Sequence, residues 1–572
     1  MKFSNKKNYL ILFFLLFSFF GTTTHSKDNK IIYTKNDISN YFSGIISVER
    51  GFNDNAFEHF KEADSLKNKH NNYNIQFVRT LISLDKFEEA IRFSKSVWSE
   101  NESIFEIDLL IGLDYFAKKD YLMAEKYFER LKNSTFDELS LENFLSNILF
   151  LWAQLSNKKI DQGLETYKNI SDYYNNLKKL QNIFILCHFD DPKAQKFFEE
   201  LIDNEKGDFS RYNFFLTSYL LFKNNHVEAK KVIHEARKKH NSNLLIKQAD
   251  QFIFEKKNKK IKNLFNCKNN QDVVAEFFYI LANIYSAERE YKLSNFFLKI
   301  SLALNNKFTP NKALLAENYF YQKKYKLSKK VYDSLKLIGP IYSWHASISN
   351  AAILSYTKGK KSAAVAIKKE FDLLKDKNAE HFYELANFYK DNEYYLESVK
   401  YYTLALENLN QDHFLVPKIL DRRGTSYERI DEWEKAEKDL KESLRILPDQ
   451  PFVLNYLAYS WVDKGQNIDE AIEMLKKATE IKKNNGYIID SLGWAHYRNK
   501  NYFDAEKYLQ QAVELMPLDP VINDHYADTL WMLNKDIQAR YFWEQVLNLD
   551  TVEVELKKNI RKKMIFGINK NL

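Results

Sequence analysis

The prolines of this chain recur at a fixed phase. Seven of the eight prolines fall at neighbouring positions of a repeat about 34 residues long. With Gly112, Gly424 and Gly493 aligned at position 8, Pro340, Pro448 and Pro517 occupy position 32, Pro417, Pro451 and Pro520 position 1, and Pro310 position 2. Proline lacks an amide hydrogen and clashes with the preceding helical turn, so it marks the ends of helices. Prolines confined to one phase of a period therefore predict a helical unit that is repeated along the chain.

Small and large side chains follow the same period. Position 24 is large and apolar in most repeats, as in Phe128 and Leu509, and position 20 is usually alanine. The alanines are Ala56, Ala90, Ala124, Ala229, Ala364, Ala436, Ala505 and Ala539, with Ala471 there after a one-residue insertion. Helices that pack about 8–10 Å apart need small residues at their closest contact. The pattern predicts pairs of helices in close contact, joined by a turn at position 15.

These landmarks resemble the tetratricopeptide repeat, which places Leu-Gly at positions 7–8, Tyr at 11, Ala at 20 and 27, and Pro at 32. The best match, 486–519, has Leu492, Gly493, Ala505, Ala512 and Pro517, with His496 in place of the tyrosine. The resemblance implies an all-α, right-handed superhelical solenoid of stacked helix–turn–helix repeats with a concave groove.

The strength of the repeat signal divides the chain into segments. Residues 139–209 and 244–274 keep helical periodicity but few landmarks, which favours divergent helical hairpins over a hinge or a separate domain. We expect a signal peptide (1–26), N-terminal repeats (37–138), divergent hairpins (139–274), middle repeats (275–412), C-terminal repeats (413–553), and a basic capping helix and tail (554–572). In that last segment Leu556, Ile560 and Met564 predict a packed face, and the five basic residues from Lys557 to Lys563 predict a solvated one. A membrane-binding helix is the alternative for this segment.

The N-terminus has the pattern of a secretory signal. Lys2, Lys6 and Lys7 precede an apolar run over 10–20, and a small-x-small site follows at 24–26. The run is shorter than the roughly 20 residues of a membrane span, so we expect export to a bacterial periplasm rather than a permanent anchor. No cysteine lies in this region to accept a lipid. The two cysteines, Cys187 and Cys267, are either a single disulfide or two buried thiols.

Composition and motifs favour a binding protein over an enzyme. The net charge of +8 is small for 572 residues, and no nucleic-acid-binding module accompanies it, so nucleic acid is not an expected partner. No phosphate loop, nucleophile elbow or metal-binding spacing is present in the sequence. We therefore predict no catalytic residues, no metal and no cofactor. An enzyme would require an unrecognised site within 139–274.

The inner surface of the last three repeats is the predicted binding site. In this repeat the first helix of each pair lines the groove through positions 2, 5, 9, 12 and 13, which here carry many aromatic and acidic residues. The residues that we select are Tyr459, Tyr487, Asp490, Trp494, Tyr497, Asp524 and Trp531. Large aromatics with a polar rim are typical of protein-binding hot spots. The alternative is that Tyr459, Trp494 and Trp531 pack against the next repeat.

A closer resemblance covers about 417–553. Residues 454–460, 469–471 and 490–495 are similar to the C-terminal repeats of secreted proteobacterial tetratricopeptide proteins. One branch of these proteins consists of outer-membrane lipoproteins that are adaptors of periplasmic carboxy-terminal processing proteases. The resemblance implies a non-catalytic scaffold or adaptor that binds protein or peptide partners, such as an envelope protease or a peptidoglycan enzyme. The absent lipidation cysteine departs from that branch, although peripheral membrane contact stays compatible. A carbohydrate-binding envelope assembly factor is the alternative function, and the sequence predicts no particular oligomeric state.

Overall fold

The computed structural model describes residues 33–67, 69–133, 137, 140–204, 207–549 and 552–569. These residues form 31 α-helices and three short 3-10 helices, and no strand occurs among them. The predicted all-α fold of stacked helix–turn–helix pairs is confirmed. The predicted signal peptide, 1–26, lies outside the described residues. The chain divides into two compact units, 1–353 and 354–572.

The first unit, unit 1, contains the repeats and hairpins that precede the boundary. Its α-helices are α1 Lys35–Glu49, α2 Asn53–Glu62, α3 Asn71–Ser83, α4 Phe87–Val97, α5 Phe105–Ala117, α6 Tyr121–Lys132, α7 Leu141–Ser156, α8 Ile160–Asn169, α9 Asn175–His188, α10 Lys193–Ile202, α11 Tyr212–Phe222, α12 His226–Lys239, α13 Leu244–Phe254, α14 Asn258–Leu264, α15 Asn270–Ala287, α16 Tyr291–Leu304, α17 Lys312–Tyr321 and α18 Tyr325–Leu335. The boundary between the units falls inside α19 Pro340–Lys358.

The second unit, unit 2, holds the repeats that match the pattern best. Its helices are α20 Lys360–Asp372, α21 Ala379–Asp391, α22 Tyr395–Glu407, α23 Val416–Glu428, α24 Trp433–Ile446, α25 Pro451–Lys464, α26 Ile468–Ile481, α27 Gly486–Arg498, α28 Tyr502–Leu515, α29 Pro520–Met532, α30 Asp536–Leu547 and α31 Val554–Phe566. From α21 onward, each first helix packs on its own second helix, and that second helix packs on the next pair.

Positions 8 and 24 meet at the closest contact within a helix pair. A Cβ atom added to Gly493 would lie 2.6 Å from Leu509 Cγ, and one added to Gly112 would lie 2.5 Å from Phe128 Cε1. The position-20 alanines of the strong repeats are fully buried, whereas in the weak repeat from 345 the buried alanine is Ala363 rather than Ala364. The helix spacing that the glycines and alanines predict is therefore present in both units.

The turn inside each pair contains a residue in the left-handed region, and the α25–α26 turn contains a second one, Asn467. Glycine takes this position at Gly51, Gly359 and Gly465, but most repeats place a polar or charged residue there. The non-glycine residues are Asp85, Lys119, Asn224, Arg289, Lys323, Glu393, Asp431, Lys500 and Asn534, with φ between 59° and 66°. Lys158, Asp190 and Lys256 have the same conformation between the helices of the divergent region. The described residues of 140–274 therefore form helix pairs with the same turn as the recognised repeats.

Unit 1 is closed by contacts between helices that are far apart in sequence. Helix α16 packs against α3, and α15 packs against α7. The buried Lys299 ammonium on α16 donates to the Ser83 carbonyl at 2.8 Å and to Asp85 Oδ1 at 2.6 Å. Cys187 and Cys267 form a disulfide, with their Cα atoms 5.9 Å apart. The N-terminal repeats thus pack onto the middle repeats. Of the two alternatives for the cysteines, the structure has the single disulfide.

Candidate partner-binding groove

Three consecutive first helices carry the predicted binding residues. These are α25, α27 and α29, and each packs against the next. Proline begins α25 and α29, while the Asn485 side chain accepts from Ile488 N at the start of α27. The Asp519 carboxylate accepts from Val521 N and Ile522 N at the start of α29. These caps fix where each helix begins, so equivalent repeat positions lie on equivalent faces.

Position 2 of the three helices forms a row of exposed apolar side chains. Phe452 is 60% exposed, Tyr487 55% and Val521 44%. Each would lose more water-accessible apolar surface on binding than a residue that the fold already covers. We call Phe452, Tyr487 and Val521 the apolar row.

Beside this row lies a cleft of about 460 Å³. It is lined by Glu428, Arg429, Asn455, Tyr456, Tyr459, Ser460, Asp463, Lys464, Tyr487, Asp490, Ser491, Asp519, Val521 and Ile522. Three of the seven predicted residues, Tyr459, Tyr487 and Asp490, are therefore together in one cleft. Four carboxylates against two cations make its wall acidic. Burial, with Asp490 and Asp463 nearby, raises the pKa of Tyr459 to about 12, so its hydroxyl stays protonated.

Trp494 and Tyr497 lie next to the cleft in a stack of rings. The Trp494 ring is parallel to Tyr497 at a centroid distance of 4.6 Å and to His525 at 4.0 Å. His525 Nδ1 lies 3.0 Å from Asp490 Oδ1. Burial disfavours the charged imidazole, but the carboxylates of Asp490, Asp524 and Asp528 outweigh it and raise the pKa of His525. Trp494 is half-buried and stacks on both Tyr497 and His525. Its ring therefore supports the cleft wall and is less available to a partner.

The two remaining predicted residues, Asp524 and Trp531, are covered by the chain itself. Lys563 of α31 contacts both oxygens of Asp524 at 2.8 and 2.9 Å, and both oxygens of Asp528 at 2.8 and 2.7 Å. The Trp531 indole is 8% exposed and donates to the Ile568 carbonyl at 2.9 Å. The expectation that Trp531 and Asp524 are open to a partner is therefore wrong for this repeat. An amphipathic helix with one inward-facing lysine satisfies both carboxylates.

The capping helix itself departs from expectation at one residue. Ile560 is fully buried, and Leu556 and Met564 pack against the same core cluster. Lys563, expected to face solvent, points inward, and its side chain is only 22% exposed. Burial opposes its charge, but Asp528 and Asp524 together raise the pKa of Lys563. Burial beside Asp524 also raises the pKa of Asp528, against the attraction of Lys563.

Three side chains that shape this end of the groove, His525, Asp528 and Lys563, are not among the predicted site residues. His525 occupies position 6, which is not among the groove positions, and Lys563 lies beyond the last repeat. Asp528 is at a groove position, but its neighbours Lys563 and the Trp543 indole, at 3.0 Å, come from α31 and α30. The sequence did contain one indication of a buried cation: Asp524 and Asp528 lie one helical turn apart on α29.

Unit 1 contains a second cleft, of about 400 Å³, around Arg211. The guanidinium makes two 2.9 Å bonds to Glu276 and one of 2.7 Å to Asn311, and it stacks over Tyr279 at 3.8 Å. These contacts satisfy most of its donors internally. The cleft holds none of the predicted site residues.

Within the described ranges, no group of three or more His, Cys, Asp or Glu side chains is placed to hold a metal ion. None of the helices that the structure describes is both long and apolar enough to cross a membrane.

A comparison with protein families identifies one repeat within the groove region. The family model for the tetratricopeptide repeat matches residues 488–519. The chain is 34% identical over 99 residues to the TPR repeat-containing protein PA4667 of Pseudomonas aeruginosa. The match covers 17% of this chain and only 17% of that curated relative.

Solved structures of low sequence identity also align. A fragment of MamA from Desulfovibrio magneticus RS-1 is 13% identical, covering 32% of this chain and 98% of its own, with a TM-score of 0.28. The protein TTC0263 of Thermus thermophilus is 15% identical, covering 33% and 100%, with a TM-score of 0.28. A tetratricopeptide repeat protein of Parabacteroides merdae is 19% identical, covering 38% and 87%, with a TM-score of 0.32.

Repeats of this kind form scaffolds for protein–protein interaction and are typically non-catalytic. The sequence match and the helix pairs agree for this segment: residues 488–519 match the tetratricopeptide repeat, and other described helix pairs share its landmark contacts.

Proposed function

We propose that this protein is a non-catalytic scaffold or adaptor of the bacterial cell envelope that holds a protein or peptide partner in the groove of unit 2. The observation that carries the proposal is the apolar row beside an acidic cleft on three successive helices. Tyr487 and Val521 belong to both features. A partner with apolar side chains on the row and neutral or basic groups in the cleft would complement both surfaces.

The charge of the cleft argues for the kind of partner. Glu428, Asp463, Asp490 and Asp519 would repel the terminal carboxylate of a peptide. Asn455, Tyr459 and Ser460 add polar side chains to the cleft wall, and amide and hydroxyl groups can exchange hydrogen bonds with a peptide backbone. We therefore favour an internal, neutral or basic peptide segment as the ligand.

Two features support an envelope location. The apolar run over 10–20 has the length and flanking charge of a secretory signal. The Cys187–Cys267 disulfide suits an oxidising compartment such as the periplasm, because cytosolic thiols are kept reduced. The resemblance of 417–553 to protease adaptors adds an envelope protease or a peptidoglycan enzyme as the expected partner.

A crosslinking experiment in intact cells tests the partner-binding site. A photoreactive phenylalanine analogue is introduced at position 487 and, as a control, at 541. Tyr541 is 57% exposed, almost the same as Tyr487, but lies on the second helix of its pair. We expect a protein adduct from 487 only. Equal adducts from both positions would contradict the assignment of the site, and binding of purified glycan without any protein adduct would favour the carbohydrate-binding alternative.

The compartment is tested separately by thiol labelling. Cells are lysed in a denaturant with a maleimide polymer that adds mass to each free thiol. We expect Cys187 and Cys267 to be protected in the chain as produced, and labelled when residues 2–26 are deleted. Free thiols in the undeleted chain would argue against export.

A further inference from the structure

The helix α31 has two faces with different roles. Leu556, Ile560 and Met564 pack against the last repeat, and Lys563 reaches Asp524 and Asp528. Arg540 of α30 also donates to the Met564 carbonyl, which ties the end of α31 to the unit. The helix is therefore held in a fixed orientation, and its other face points to solvent.

The solvent face carries cations and then large apolar side chains. Lys558, Arg561, Lys562 and Ile565 have the spacing i, i+3, i+4, i+7, which places them on one stripe of a helix. Ile565 is 69% exposed and the adjacent Phe566 is 81% exposed. We call these five residues the basic–apolar stripe. Glu555, 3.7 Å from Lys558, is the carboxylate paired with it, so three cations face one anion.

We propose that the basic–apolar stripe attaches the protein to an anionic lipid surface. Basic side chains near a membrane are attracted to anionic headgroups, and exposed aromatic and branched side chains enter the boundary of the acyl chains. The stripe combines both features on a helix whose opposite face is anchored by the fold. Its net positive charge complements the lipid, whereas the carboxylate-rich groove of unit 2 does not. The attachment does not depend on what the groove binds.

The test is a local fluorescence measurement on the full chain. Phe566→Cys is labelled with an environment-sensitive dye and mixed with vesicles of phosphatidylglycerol and phosphatidylcholine in equal parts. Phe503→Cys is the matched control, because Phe503 is 80% exposed but lies on α28. A dye at one position reports local contact, so binding through residues 1–26 would not imitate the result. We expect a blue shift at 566 with anionic vesicles, a loss of that shift at high salt, and no shift at 503.

Charge variants complete the test on the labelled background. Lys558→Gln, Arg561→Gln and Lys562→Gln together should weaken binding about 100-fold. Lys438→Gln, Lys482→Gln and Lys483→Gln remove the same charge elsewhere on exposed residues and should leave binding unchanged. The proposal is overturned by equal loss in both triple variants or by an equal response with pure phosphatidylcholine. It is also overturned by equal shifts at 503 and 566, or by a shift at 566 that only an envelope protein extract produces. Circular dichroism confirms that every variant is folded.

Discussion

At the residue scale, the seven predicted groove residues lie in three environments. Tyr459, Tyr487 and Asp490 line the open cleft. Trp494 and Tyr497 lie in a ring stack, Asp524 is covered by Lys563 of α31, and Trp531 is covered by the segment that follows α31. The repeat register predicts which face of a helix a residue occupies, but it carries no information on what covers that face. His525 and Lys563 provide the cover, and they come from the next repeat and from beyond the last one.

Tyr487→Ala should weaken partner binding. The side chain is more than half exposed in the free protein, so its loss removes contact area without disturbing the core. We expect a loss of about 1–2 kcal/mol in binding free energy and an unchanged melting temperature. Titration calorimetry with the crosslinked partner measures the first and thermal unfolding the second. Tyr541→Ala is the control, and equal weakening by both variants would contradict the assignment.

Asp490→Asn should change how stability depends on pH. The folded-state pKa of His525 is raised, so its pair with Asp490 stabilises the fold below the ordinary histidine pKa of about 6.5. That contribution is lost as the pH rises through the folded-state value. The raised pKa of Asp528 acts in the same direction, whereas the lowered pKa values of His188 and His496 act in the opposite one.

Because several groups contribute to the pH dependence, the quantity to measure is the difference in melting temperature between wild type and Asp490→Asn. Melting temperatures of wild type and Asp490→Asn are compared from about pH 6 to about pH 9. We expect the variant to be less stable at low pH and to approach wild type as the pH rises. A constant difference over the whole range would contradict the role of His525.

At the element scale, the sequence predicts helix pairs well because the signals are local. Prolines mark helix ends, and glycine and alanine mark the closest contacts, as Gly493 against Leu509 shows. The left-handed turn residue was predicted only where it is glycine. At Lys119 or Lys500 the side chain does not reveal the conformation, since the two flanking helices impose it. The prediction is less accurate in the weak repeat from 345, where the buried alanine is Ala363 and not Ala364 as the register predicts.

Gly493→Leu should destabilise unit 2. Its Cβ alone would lie 2.6 Å from Leu509 Cγ and 3.1 Å from the Leu509 backbone nitrogen, so the two helices must separate. We expect a loss of about 1–3 kcal/mol in the free energy of unfolding. Chemical denaturation followed by circular dichroism measures it. Gln511→Leu, at an exposed position of α28, should have little effect, and an unmoved transition for Gly493→Leu would contradict the register.

Lys563→Met should destabilise the end of unit 2. The substitution keeps the side-chain volume but leaves Asp524 and Asp528 next to each other without their cation. Removing one partner of a buried ion pair costs about 3–5 kcal/mol, and here the partial exposure of Lys563 favours the lower value. Hydrogen exchange at α29 and α31 reports the loss. Lys562→Met, on the exposed face, is the control, and equal loss of protection in both variants would contradict the role of Lys563.

At the scale of the whole molecule, the sequence predicts the stacking of neighbours but not the closure of unit 1. The contacts of Lys299 with Ser83 and Asp85 join residues more than 200 positions apart, and no periodicity encodes them. The sequence also did not decide whether the two cysteines form a disulfide or stay as separate buried thiols. Cys187 lies in α9 and Cys267 in the turn between α14 and α15, and no sequence pattern indicates that these two segments meet.

Replacing both cysteines with serine should lower the stability of unit 1. A crosslink that closes an 80-residue loop restricts the unfolded chain, which amounts to about 4–5 kcal/mol in the chain-entropy model. Differential scanning calorimetry should show a lower transition for unit 1 and an unchanged one for unit 2. A reductant should lower the wild-type transition and leave the double variant unaffected. A drop in the unit 2 transition would contradict the local effect.

The inward turn of Lys563 has a consequence for assembly. When the last repeat of a stack is uncovered, its exposed face can bind the first repeat of another copy. Such head-to-tail contacts can extend into open filaments. Here the two carboxylates and the indole of the final module are occupied by the chain's own tail. These three side chains are therefore not available for a head-to-tail contact with the first repeat of another copy.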